Sequence, residues 1–227
     1  MDYHILKRSE SAGFGSQSAF ERAVLASKVT SFGYGYMLQA PLKKFSLESD
    51  AVSIRINALL DSFAFPPKRV VFRSSSLNPY INHLIANGVY IVEVEKDYLE
   101  ASFDALRFSL PNRVLLSPSI AERERYLEPG IVLLYPLMSK APVSSNGTIR
   151  IEKLLVDLAV TPIYRALYSG KDLEQAIGLL LDGHAINFRT LFAYASRKRK
   201  TKEVYVALEK AANGQIKELL HAIKEKL

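Results

Sequence analysis

The chain reads as a mixed α/β protein, and three observations say so. Short β-rich runs alternate with helical stretches between Arg69 and Tyr135, apolar residues recur at helical spacing beyond Thr148, and a capped stretch followed by a glycine-broken alternating run stands near the N-terminus. Strand–helix alternation argues for a sheet layered with helices, and stripes at i, i+3, i+4 argue for amphipathic helices that pack on one another.

The N-terminal elements come first. After a glycine- and serine-rich lead-in, Ser18 and Glu21 have the spacing of a capping box, which predicts a helix to about Ser27. KVTSFGYGYMLQ then alternates and breaks at Gly33 and Gly35, as a tight β-hairpin does. Helix then hairpin is the order of a recognition helix and its wing, so the fold class includes a partial winged-helix element. Only some fifteen residues precede the helix, too few for two further helices. Ser16, Ser18, Arg22, Lys28, Tyr34 and Tyr36 are the candidate DNA-binding residues of this element.

Pro41 and the Lys43–Lys44 pair open a linker, and a helix from about Ser46 carries Val52, Ile56, Leu59 and Leu60 on one stripe. Strands are predicted at 69–72, 88–94, 113–116 and 131–135, with helices at 77–85, 98–108 and 120–127 between them. Asp97 with Glu100, and Ser119 with Glu122, place capping boxes at two of these helix starts. Further on, Ile151, Leu154, Leu155 and Leu158 line one face, and three later stripes complete a C-terminal helical bundle. Gly170, Gly183 and Gly214 are read as helix stops. The resulting division is a DNA-binding element at 1–40, a linker helix at 41–64 and one α/β-plus-helical domain at 65–227.

With 227 residues, 48% of them hydrophobic, the chain can build a real core. It has no cysteine, so disulfides and thiolate metal sites are excluded. No run reaches the roughly 18 apolar residues of a spanning helix, and the first eleven residues do not form a signal peptide, so a cytoplasmic, membrane-free protein is expected. The net charge of +7 is uneven: residues 191–227 hold nine basic and four acidic side chains, while residues 61–190 are balanced. Within the basic end, Arg197, Lys198, Arg199, Lys200 and Lys202 fall between two helices and form a candidate surface for phosphate or an acidic protein face.

Catalytic patterns are weak. The Gly13–Gly15 and Gly33–Gly35 pairs lack the third glycine or Lys-Ser/Thr of a phosphate loop. His4, His83, His184 and His221 have no ligand spacing, and Gly15-Ser16 is not followed by the paired aspartates that a nucleotidyltransferase site needs to hold magnesium, since Asp50 and Asp61 stand alone. Glu93, Glu95 and Lys96 would serve an alternative reading as a metal-dependent nuclease, although the acid–lysine spacing is wrong for that arrangement and no carboxylate precedes them in FRSSSLNPY. No catalytic residue, metal site or cofactor is expected.

The segments SFGYGYMLQ, RVVFRSSSLNPYINHL, YIVEVEKDYLEASFDAL, VLLYPLMSKAPV, TIRIEKLLVDL and INFRTLFAYASRKRK together resemble the AbiEi-type antitoxin family, over roughly residues 16–202. EKLLVDL is the most specific of them. The resemblance implies a cytoplasmic, non-enzymatic antitoxin and transcriptional regulator of a type IV toxin–antitoxin (abortive infection) system used in phage defence. Its partners would be operator DNA and a nucleotidyltransferase-like toxin, opposed without a stable complex.

Overall fold

A computed structural model describes residues 29–31, 36–38, 44–86, 88–111 and 113–224, with the backbone alone described at 29–31 and 36–38. The fold is mixed α/β, and it divides into two compact units. One spans residues 46–150, and the other holds the helices from Ile151 onward together with the strands at 29–38 and residues 44–45.

Near the N-terminus, β1 (Val29–Ser31) pairs antiparallel with β2 (Tyr36–Leu38), so that Val29 faces Leu38 and Ser31 faces Tyr36. The two strands of the predicted hairpin are therefore paired, while Gly33 and Gly35 lie outside the described residues. The capped helix at 18–27 lies outside the described residues.

The α/β unit begins with an extended stretch, 46–50, and the helix starts later than its apolar stripe implied. Asp50 is the reason. Its carboxylate accepts the Ser53 N–H at 2.8 Å and so caps α1 (Ala51–Asp61). Four strands follow: β3 (Arg69–Arg73), β4 (Tyr90–Val94), β5 (Val114–Leu116) and β6 (Val132–Pro136), ordered β3-β4-β6-β5. β3 runs antiparallel to β4, whereas β4, β6 and β5 are parallel, with Val92 opposite Leu134 and Val114 opposite Val132. Parallel strands need crossovers: α2 (Leu99–Ser109) connects β4 to β5 on the far side of β6, and the helix at Ile120–Tyr126 connects β5 to its neighbour β6. Ile56 and Leu60 of α1 and Leu106 of α2 pack with Val92, Val94, Val132 and Leu134 in one core. Each such side chain contributes about 1.5–3 kcal/mol on burial.

Two expectations in this unit are corrected. Residues 77–85 do not form an α-helix; Ser74–Tyr80 is a 3₁₀ turn that contains Pro79, whose ring and missing N–H are poorly suited to a helix interior. Asn78 then closes the loop with its own side chain, bonding the Ile85 N–H and C=O at 3.0 and 2.9 Å. Nor does Asp97 cap α2. A 3₁₀ turn at Lys96–Tyr98 intervenes, and Tyr98 occupies the cap position without a side-chain hydrogen bond. By contrast, Ser119 and Glu122 form both arms of the expected capping box at α3 (Ile120–Tyr126).

The helical unit contains α4 (Ile151–Val160), α5 (Pro162–Leu167), α6 (Gly170–Gly183), α7 (Phe188–Arg197), α8 (Thr201–Ala211) and α9 (Gly214–Lys224). α4 touches α5, α6, α7 and α8, and every residue from Ile151 to Ala159 is buried. That makes it the axial helix of the bundle. Of the three glycines read as stops, Gly183 ends α6, but Gly170 and Gly214 open helices instead. Ser169 caps α6 through the Asp172 N–H, which leaves Gly170 as its first residue.

Candidate functional site

An axial helix surrounded on all sides should be apolar throughout, yet α4 carries Glu152, Lys153 and Asp157 inside the bundle. Lys153 and Asp157 are one helical turn apart, so their side chains fall on the same face and meet at 2.5 Å. A second cation arrives from the end of α7. Lys198 Nζ lies 2.7 Å from Asp157 Oδ1 and donates to Thr161 Oγ1 at 2.9 Å. The Tyr194 hydroxyl donates to the same carboxylate at 3.2 Å, and its ring lies 5.5 Å from Lys153 Nζ and 5.3 Å from Lys198 Nζ. Thr161 adds a further donor at 3.2 Å.

Burial by itself would push the Asp157 carboxyl up. Its two lysines outweigh that and hold it below the usual carboxylate range. The carboxylate is thus ionised, hydrogen-bonded on both oxygens and flanked by two positive charges in a low-dielectric setting. Such an arrangement is costly to break from either side.

Lys198 ties this network to the surface. It caps the C-terminus of α7, after which Arg199 adopts φ 56°, in the left-handed region. The Lys200 N–H returns to Ala195 O at 3.0 Å and the Arg199 N–H to Ser196 O at 2.9 Å, which is the Schellman pattern with arginine where glycine is usual. Arg197 and Arg199 are exposed, as are Lys200 and Lys202, the latter in the first turn of α8. Lys200 pairs with Glu203 at 2.7 Å. Cations suit the end of α7 and oppose the dipole at the start of α8, so helix energetics account for Arg197 but not for Lys202.

Of the basic residues singled out in the sequence, four stand together at this corner and the fifth, Lys198, turns inward to Asp157. Among the candidate DNA-binding residues, Ser16, Ser18, Arg22, Lys28 and Tyr34 lie outside the described residues, and Tyr36 is placed only as the first residue of β2. Glu93, Glu95 and Lys96 are at the end of β4, where Glu95 Oε2 accepts the Lys68 N–H at 3.0 Å. Among the described residues, no group of three or more His, Asp or Glu side chains is placed to hold a metal ion. The buried charges of α4 are the site residues that sequence reasoning did not single out. Their signal was the i, i+4 Lys153–Asp157 pair inside an otherwise apolar stretch.

A family model matches residues 28–214, which covers both β1–β2 and the helices that build the corner. The chain belongs to DUF6577, a family of unknown function. No curated protein matches it. The DUF6577 match takes in the whole Lys153–Asp157–Lys198 network and all four exposed cations beside it. Among the described residues no helix is long and apolar enough to cross a membrane.

Proposed function

We propose that this chain is a non-enzymatic antitoxin and transcriptional regulator of the AbiEi type, acting in the cytoplasm against a nucleotidyltransferase-like toxin, with its own operator DNA as a second partner. The observation that carries the reading is the α7–α8 corner. Arg197, Arg199, Lys200 and Lys202 are exposed there on a turn anchored from beneath by Lys198 and Asp157. A rigid, positively charged corner is a means of meeting phosphate or an acidic face without covalent chemistry. The resemblance of TIRIEKLLVDL and INFRTLFAYASRKRK to that family supports it, since the first segment is α4 and the second builds the corner.

Co-expression with the nucleotidyltransferase-like protein encoded beside it tests the reading. The wild-type chain should restore growth, and a variant carrying Arg197→Ala, Arg199→Ala and Lys202→Ala should fail to do so while keeping its helical circular dichroism. Protection by the triple variant at equal abundance would discard the corner as the functional face. For operator DNA, four phosphate contacts predict roughly a hundredfold loss of affinity between 50 and 200 mM salt. Binding that ignores salt would remove the DNA half.

A further inference from the structure

We propose that a cleft in the α/β unit, beside Arg73, binds a small phosphate ester of the sugar-phosphate type. The cleft has a volume of about 480 Å³ and lies between the extended stretch 46–50 and the 3₁₀ turn Ser74–Tyr80. Pockets for small organic ligands span roughly 300–1,000 Å³, so the size fits a phosphorylated monosaccharide. Ser46, Ser49, Asp50, Arg73, Ser75 and Ser76 are among its polar lining residues.

Arg73 is the centre of the argument. Its guanidinium is held on one side only, with Nη1 3.0 Å from Asp50 Oδ2 and the group's carbon 5.7 Å from the centre of the Tyr90 ring. Asp50 is already satisfied, because it accepts from the Ser53 N–H and from the Tyr90 hydroxyl as well. It therefore fixes the arginine without consuming the rest of its donors. The Arg73 Nε is buried without a hydrogen-bond partner, and the side chain as a whole is 31% exposed toward the cleft that it lines. A buried donor without an acceptor is uncommon in a native protein and points to an arginine placed for a purpose other than its own packing.

A guanidinium presents its donors as a planar fork and stays charged at every physiological pH, which suits an oxyanion. Ser75 and Ser76, two and three positions further on past the buried Ser74, line the same cleft and add hydroxyl donors. A phosphate monoester offers three terminal oxygens to that set; a carboxylate offers two and a neutral sugar none with charge. Glu48, the remaining acid of the cleft, is exposed, where solvent screens it. Ser46 and Ser49 add hydroxyls that suit the hydroxyls of a sugar, and Leu47 and Pro79, which line the same cleft, suit the apolar face of its ring.

This inference uses none of the basic corner, so its failure leaves the antitoxin reading standing, and the reverse holds too. The test is a titration of the full chain with ribose 5-phosphate, ribose and inorganic phosphate, followed by amide NMR. Ribose 5-phosphate should shift amides of residues 46–50 and 73–80 with a Kd below about 1 mM, and ribose should shift none. Arg73→Gln and the paired Ser75→Ala, Ser76→Ala variant should each weaken the ester about tenfold or more. Should Arg73→Gln fail to fold, the serine pair, whose side chains are partly exposed, decides alone. Absence of shifts with 10 mM ester overturns the proposal, as does unchanged affinity in the serine pair. Equal affinity for inorganic phosphate and the ester overturns the sugar-phosphate assignment.

Discussion

Lys198 Nζ lies 2.7 Å from Asp157 Oδ1, which joins the exposed end of α7 to the centre of the axial helix α4. The carboxylate answers two lysines at once, one of them fully buried. Asp157→Asn would remove the charged carboxylate that Lys153 and Lys198 share, and breaking a buried pair from one side costs about 3–5 kcal/mol. Urea unfolding at neutral pH should show a loss of that size. A loss under about 1 kcal/mol would mean the lysines find other acceptors.

The same carboxylate predicts the pH response. Its folded-state pKa is depressed, so its contribution is complete above the unfolded value of about 3.9 and disappears as pH falls through the lower folded value. The stability gap between wild type and Asp157→Asn should be flat from about pH 5 to 8 and narrow below about pH 4. Urea midpoints for the two proteins at pH 6 and pH 3 provide the check. A gap that widens in acid would contradict the ion-pair account.

Arg199→Gly separates stability from binding. Arginine at φ 56° carries strain that glycine does not, so the substitution should be neutral or stabilise by up to about 1 kcal/mol. It also removes one of four exposed cations, and salt-sensitive binding to an anionic partner should fall. A thermal melt alongside the growth-rescue assay reads both quantities. A variant that is less stable yet fully protective would oppose the role given to the corner.

Much of this fold was legible because local chemistry and tertiary structure agree. The apolar runs at 69–72, 88–94, 113–116 and 131–135 all became strands, and Ser119 with Glu122 closed both arms of their cap. The basic run at 197–202 was visible as charge density. Its internal division was not, because Lys198 is drawn inward by Asp157, which stands 41 positions earlier in the chain. Local spacing also makes Lys153 and Asp157 look like a solvated i, i+4 pair; only the enclosure of α4 by its neighbours buries them. The Arg73 cleft was hidden for a different reason, since the stretch read as a helix is broken around Pro79 and shaped by the Asn78–Ile85 bonds.

Capping should be measurable where it is most complete. Ser119→Ala removes the hydroxyl that accepts the Glu122 N–H at 3.2 Å, and with it the geometry that lets Glu122 reach back at 2.8 Å. The expected cost is about 1 kcal/mol. Chemical denaturation of the two proteins checks it, and a change of less than about 0.3 kcal/mol would show that α3 holds without its cap.

Gly147 is the position where a single methyl group should do most damage. Its φ is +74°, and an added Cβ would sit 2.3 Å from Asn57 Oδ1, with Arg69 Cγ and Nε at 3.2 Å. Asn57 cannot retreat freely, because that oxygen accepts from Arg69 Nε at 2.8 Å, while Arg69 Nη2 holds Asp61 at 2.7 Å. The backbone is fixed as well: Gly147 O accepts the Val71 N–H at 2.8 Å on the outer edge of β3. Left-handed strain plus overpacking should cost about 2–3 kcal/mol in Gly147→Ala. Adding Asn57→Ala should recover part of that, since the nearest clash is removed, and the double variant should be less destabilised than the sum of the singles. Strict additivity in urea unfolding would show that the two side chains do not compete for this space.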